Sequence, residues 1–125
     1  MAIIGIGTDI VEISRIEGQL QKSSRLAERV LTEAELAEWR THAFQARFLA
    51  KRFAAKEATV KAFGTGIGNG VSFRQMEIRH YDSGKPYLHF SGYLEQLSQQ
   101  WMLSGTFISI ADEQHYAMAT VVLEK

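Results

Sequence analysis

From Ala2 to Glu12 the chain is mostly apolar and β-branched, the pattern of a buried strand. Short helices are expected near 14–22 and 24–30, then a helix opening at Thr32, where Thr32-Glu33-Ala34-Glu35 forms a capping box. Phe44 to Phe63 reads as one long helix that runs into a glycine-rich stretch, Gly64 to Gly70. Val71 to His80 alternates as a strand, and Asp82-Ser83-Gly84-Lys85-Pro86 turns the chain into the next, Tyr87 to Phe90. Ser91 is placed to cap a helix reaching about Trp101. Two last strands, Thr106 to Ala111 and Tyr116 to Leu123, are joined by the polar Asp112-Glu113-Gln114-His115. Irregular alternation of strands and helices, with hairpins at the end, predicts an α+β fold. The expectation is one domain over residues 1–125, an antiparallel sheet packed on one long helix and shorter ones.

Glu57 and Lys61 lie four residues apart on the long helix. At about 100° per residue they share a face with Ala46, Ala50 and Ala54, whose small side chains leave room for something to lie against it, while Phe48 points to the opposite side. By spacing alone an exposed salt bridge explains the pair as well. The glycine stretch also has two readings. Gly64 fits helix termination in the left-handed region, and four alternating glycines let backbone N–H groups approach an anion or a neighbouring chain. The stretch lacks the Gly-Lys-Ser/Thr ending of a phosphate-binding P-loop and opens no helix.

Asp9 is a carboxylate within the first strand, and an acid in a buried strand must be paired, hydrogen-bonded or metal-bound. Gly5 and Gly7 just before it suit a close backbone approach or a bulge. An N-cap role for the helix starting near Ser14, or a strand-end acid facing water, is the alternative. Two carboxylates brought together by the fold are the minimum for a hard divalent ion that keeps several waters and shares its other positions with phosphate oxygens.

Gly5-Ile6-Gly7-Thr8-Asp9-Ile10-Val11-Glu12-Ile13 with Arg15-Ile16, followed by Arg52-Phe53-Ala54-Ala55-Lys56-Glu57-Ala58-Thr59-Val60-Lys61-Ala62-Phe63-Gly64-Thr65-Gly66-Ile67, resembles the holo-[acyl-carrier-protein] synthases of the 4′-phosphopantetheinyl transferase superfamily. Gly84-Lys85-Pro86, Ser109-Ile110-Ala111-Asp112 and Tyr116-Ala117 extend the match in the family's order, and the length suits the small bacterial type. The resemblance implies the transferase fold and a magnesium-dependent enzyme that moves 4′-phosphopantetheine from coenzyme A to a serine hydroxyl of apo-acyl carrier protein. It would release adenosine 3′,5′-bisphosphate and support fatty acid biosynthesis. By position, Asp9 and Glu57 would be the metal ligands, and Lys61 would contact the transferred phosphate. Arg52, Lys61, Gly64, Thr65 and Gly66 would meet coenzyme A, and Arg15 and Arg25 the carrier protein. The resemblance also implies a homotrimer with active sites between subunits. One departure stands out: many members read Ser-x-Thr/Ser-His where this chain has Ser109-Ile110-Ala111-Asp112, and His115 is not the positional equivalent of that histidine.

The chemistry suits these residues. Negative charge grows on the departing bisphosphate, so positioning and electrostatic stabilisation dominate. The serine must lose its proton as it attacks, and Glu57, directly or through a water, is the candidate base; Asp9, held by a cation, has little basicity to offer.

Composition adds boundaries. With 125 residues, 46% hydrophobic and 22% charged, the chain is long enough for a core without staples. It has no cysteine, no apolar run long enough to span a bilayer and no basic n-region ahead of the first strand, which reads as cytoplasmic. Fourteen basic residues balance fourteen acidic ones, which argues against a general nucleic-acid binder. The charge is nonetheless sorted. Arg15, Lys22, Arg25 and Arg29 form one basic run, suited to an acidic partner, and Arg47, Lys51, Arg52 and Lys56 crowd half of the long helix, suited to phosphates or to a solvated face. His42, His80, His89 and His115 lack zinc-ligand spacing. A coenzyme A or nucleotide-binding module without catalysis, a structural trimer, and a hydrolase of the same pyrophosphate are the competing readings.

Overall fold

A computed structural model describes residues 1–125. Strand β1 (Ile3–Glu12) leads directly into helix α1 (Ile13–Lys22), followed by α2 (Arg25–Val30), α3 (Glu33–Arg40) and the long α4 (Gln45–Phe63). A 3-10 turn at Phe73–Gln75 precedes the hairpin of β2 (Met76–His80) and β3 (Pro86–Phe90). Then come α5 (Gly92–Gln100), β4 (Gly105–Asp112) and β5 (Tyr116–Glu124). One antiparallel sheet has the order β1-β5-β4 and a second pairs β2 with β3. The class is α+β, as the sequence predicts. No helix is long and apolar enough to cross a membrane.

The larger sheet lies against α4. Ala50, Ala54, Ala55 and Ala58 of the helix are fully buried in one core with Ala117, Val121 and Leu123 of β5. The room left by the small side chains is therefore filled by the protein's own sheet. Gly5 and Gly7 make the approach possible: a Cβ on Gly7 would collide with the Ala58 carbonyl oxygen and sit 2.6 Å from Ala62 N, and one on Gly5 would collide with the Ala62 carbonyl oxygen.

Only one face of β1 is covered. Its residues alternate, so while Gly7 packs on the helix, Ile6 and Ile10 are 68% and 64% exposed, and Phe107 and Met118 extend the same apolar face onto β4 and β5. The expectation of a buried strand holds for one face only, because a single helix layer shields a single face. The expected strand from Val71 is also shortened. Gly68 and Val71 exchange backbone hydrogen bonds at 2.8 and 3.0 Å, which commits Val71 to the glycine loop, and a 3-10 turn intervenes before β2.

Buried charge locks the helices together. Thr32 caps α3 by the predicted box, its hydroxyl accepting from Glu35 N while Glu35 Oε1 accepts from Thr32 N. The same Glu35 carboxylate accepts from Lys56 Nζ at 2.6 Å and from Ile78 N at 2.9 Å, with Arg52 Nε 3.4 Å away. Lys56 has no exposed surface and also donates to the Val30 carbonyl. One acid thus ties α2, α3, α4 and β2, its carboxylate accepting from Thr32 N, Lys56 Nζ and Ile78 N, while the buried Arg52 Nε lies close by without a hydrogen-bond acceptor.

Candidate active site

Alternation along β1 decides where Asp9 goes. Gly5 and Gly7 face α4, so Asp9, two residues further on, projects from the same face toward the helix. There it meets Lys61, whose Nζ donates to Asp9 Oδ1 and to the Thr8 carbonyl, both at 3.0 Å. Asp9 is not a helix cap, since α1 begins after Glu12 and has no side-chain cap.

Glu57 stands beside this pair, half-buried on the next turn of α4. Burial pushes its carboxyl above the ordinary range, the nearby charge of Asp9 adds to the rise, and Lys61 and Arg29 oppose it. The expected Glu57/Lys61 salt bridge does not form; Lys61 reaches across to Asp9 instead. Asp9, Glu57 and Lys61, drawn from two distant segments, form one electrostatic cluster on an open surface of the chain.

The cluster suits a hard divalent cation. Its donors are two carboxylates without nitrogen or sulfur, Glu57 has no ion-pair partner and Asp9 has only Lys61, so the donor set is that of a hard, oxygen-preferring ion. No group of three or more His, Cys, Asp or Glu side chains could hold a metal, so an ion here would fill its other positions with water or substrate oxygens.

Gly64 closes α4 in the left-handed conformation, φ 77°, and the N–H groups of Thr65 and Gly66 fold back onto the Val60 carbonyl at 3.1 and 3.4 Å. The loop therefore starts one turn from Lys61. Gly66, Gly68, Asn69 and Gly70 also have positive φ, a succession that bends the loop sharply.

The profile of the 4′-phosphopantetheinyl transferase superfamily matches residues 5–121. A holo-[acyl-carrier-protein] synthase from Pseudoalteromonas atlantica is 59% identical over 124 residues, covering 99% of this chain and 98% of that one. The chain belongs to the holo-[acyl-carrier-protein] synthase family. Among solved structures, the synthase from Neisseria meningitidis superimposes with a TM-score of 0.93 at 42% identity, over 99% of this chain and all of that one. The synthase from Bacillus anthracis, in complex with CoA (3′,5′-ADP), gives 0.80 at 43% identity over 98% of this chain and 96% of that one.

Against this synthase fold, the remaining candidates fall into distinct places. Arg15 is exposed and paired with Glu12 at 3.3 Å, and Arg25 is exposed without an ion-pair partner. Arg29, one turn beyond Arg25, lies over the Phe73 ring at 5.4 Å and acts electrostatically on Glu57, so α2 borders the acidic pair. Arg52 is elsewhere. Nine residues at about 100° each set it on the opposite side of α4 from Lys61, where it is 6% exposed, stacks over Phe48 and lines a cavity of about 480 Å³ with Glu38, Arg79 and His80.

The basic half of α4 is not a free phosphate face. Lys56 and Arg52 are committed to Glu35, while Arg47 and Lys51 pair with Asp112 at 2.8 and 3.6 Å. Asp112, at the position where many synthases carry histidine, thus has its carboxyl held below the ordinary range chiefly by the hydrogen bond from Arg47. Sequence reasoning missed Glu35 as a hub, although the capping box drew attention to it, and it had no signal for the Asp112 pairing or the reach of Arg29.

Proposed function

We infer that this protein transfers 4′-phosphopantetheine from coenzyme A to a serine hydroxyl of an apo-acyl carrier protein and releases adenosine 3′,5′-bisphosphate. The observation that carries this reading is the convergence of Asp9, Glu57 and Lys61 beside the glycine loop, in a chain 59% identical to a named synthase. The reaction supports fatty acid biosynthesis in the cytoplasm.

Asp9 and Glu57 would hold Mg2+, which would supply positive charge against the growing negative charge of the pyrophosphate. Lys61, half-exposed, directs its ammonium to the phosphate under attack. Glu57 is the group assigned to take up the serine proton, through an intervening water that it orients. The serine oxygen forms its bond to phosphorus as the bond to the bisphosphate oxygen breaks, and the leaving group takes the electron pair. Gly64, Thr65 and Gly66, whose own N–H groups cap α4, bring the glycine loop to the coenzyme A site, where the uncommitted N–H groups of Ile67, Asn69 and Gly70 can meet it. Arg52, buried on the far side of α4 and paired with Glu35, falls outside this chain's coenzyme A site.

Arg15 and Arg25 receive the acidic carrier protein, and Arg29 carries that basic surface up to the reacting centre. A homotrimer is supported by the exposed apolar face of the larger sheet. Successive residues of β1 serve both purposes, Asp9 facing the site and Ile10 facing the subunit contact.

Intact-mass measurement of apo-acyl carrier protein incubated with coenzyme A, Mg2+ and this protein tests the reading. A gain of one phosphopantetheine, abolished by chelator and by Glu57→Ala, is expected. Bisphosphate release without carrier would instead indicate a hydrolase, and coenzyme A binding with no turnover a binding module.

A further inference from the structure

The glycine loop is anchored at both ends, and the second anchor is a side chain outside the loop. Its first end is held by the C-terminal cap of α4 on the Val60 carbonyl. At its other end, Gln75 Nε2 donates to the Gly70 carbonyl at 2.8 Å. The opposite end of the same amide, Oε1, accepts from Leu94 N at 3.3 Å in the first turn of α5. Ser91, expected to cap that helix, makes no side-chain cap bond, and Gln75 from the neighbouring turn takes its place. The backbone reinforces the join, because Ser91 N donates to the Gln75 carbonyl at 2.9 Å. Packing does too: Tyr93 covers Gly70, and Gly92 sits against the Gln75 side chain.

The chemistry of the partners fixes the orientation of the amide. A carbonyl can only accept and a backbone N–H can only donate, so the nitrogen must face Gly70 and the oxygen Leu94. No other residue type of this length offers both ends at once. The amide oxygen secures α5, and its nitrogen secures the loop.

We propose that Gln75 is a positioning residue for the coenzyme A site, latching the C-terminal end of the glycine loop to α5 so that the loop's uncommitted backbone N–H groups, those of Ile67, Asn69 and Gly70, are pre-arranged for the ligand. This rests on the glycine loop lining that site, as inferred above. Pre-arrangement lowers the ordering cost of binding and leaves the reacting groups on β1 and α4 untouched.

Gln75→Glu separates the two halves, because it keeps the oxygen that caps α5 while turning a carboxylate oxygen toward the Gly70 carbonyl. The melting temperature should stay within about 2 °C of the parent. Loss of one hydrogen bond should raise KM for coenzyme A roughly fivefold to tenfold at unchanged kcat. Amide hydrogen exchange at Gly68 and Val71, whose N–H groups are hydrogen-bonded to each other's carbonyls, should quicken in the coenzyme-free protein. Gln75→Met, of similar length with neither hydrogen bond, should give the same KM rise with a lower melting temperature, since α5 loses its cap as well. Unchanged KM and unchanged exchange in a folded Gln75→Glu protein would overturn the proposal, as would a fall in kcat alone. If the parent protein itself fails to modify carrier protein, the transferase reading fails separately, while exchange at Gly68 and Val71 and direct coenzyme A binding still report on the latch.

Discussion

Lys61 Nζ donates to Asp9 Oδ1 at 3.0 Å across the contact between α4 and β1, and leaves its helical neighbour Glu57 without an ion-pair partner. The lysine is half-exposed and can swing, whereas Asp9 is 17% exposed at its side chain and fixed by the sheet. Lys61→Ala should therefore leave the fold intact and lower kcat by roughly 10²–10³, the scale of losing one preorganised charge at a developing anion. Steady-state transfer to apo-carrier protein, together with a melting curve, checks both halves.

Glu57 makes stability and metal binding depend on pH in opposite ways. Its carboxyl is raised by burial and by Asp9, so the folded protein binds its proton more tightly than the unfolded chain does. Its contribution to stability is then greatest below the ordinary glutamate value and declines as pH rises through the window between the ordinary and the raised value. Glu57→Gln should flatten that decline in a series of melts. Cation binding needs the ionised form, so Mg2+ should shift the acid limb of activity to lower pH, and Asp9→Asn should shift the titration of Glu57 downward.

The buried hub gives a stability prediction unconnected to the chemistry. Glu35→Ala strands Lys56 and Arg52 in the interior and exposes the N-terminus of α3 to loss of its cap. A loss of about 3–5 kcal/mol in urea unfolding is expected, the usual cost of removing one partner of a buried ion pair.

Gly7→Ala tests the close approach that places Asp9. The added methyl meets the backbone of α4 at Ala58 and Ala62, where nothing flexible is available to yield. Strand and helix must separate, with a destabilisation of about 1–3 kcal/mol or more. Transfer activity should fall further than the melting temperature alone explains, because the Asp9 to Glu57 spacing changes with it.

The apolar sheet face predicts an assembly. Ile6→Glu places a charge on the exposed apolar face, on its edge strand β1, without touching the core. Light scattering should show three chains for the parent and a shift toward single chains for the variant, with transfer activity falling in parallel.

Local patterns made most of the elements legible. The Thr32 box, the left-handed Gly64 and the β-branched opening strand are decided by neighbours within a few positions, so reading along the chain suffices for them. The family of the chain was legible too, because D-I-V-E-I and the K-E-A-x-x-K stretch are read position by position. Partner choice was not. Whether Lys61 pairs with Glu57 or Asp9, whether Arg52 is a surface cation or a buried partner of Glu35, and whether Ser91 or Gln75 caps α5 depend on distances between segments far apart in sequence. The same holds for the open face of β1, which has the composition of a buried strand but only one covering layer within this chain. Sequence by itself determined which elements form and which residues have the chemistry; the packing of glycine against helix decided which of those residues meet, because ion pairs and hydrogen bonds act over a few ångströms that only the folded chain brings about.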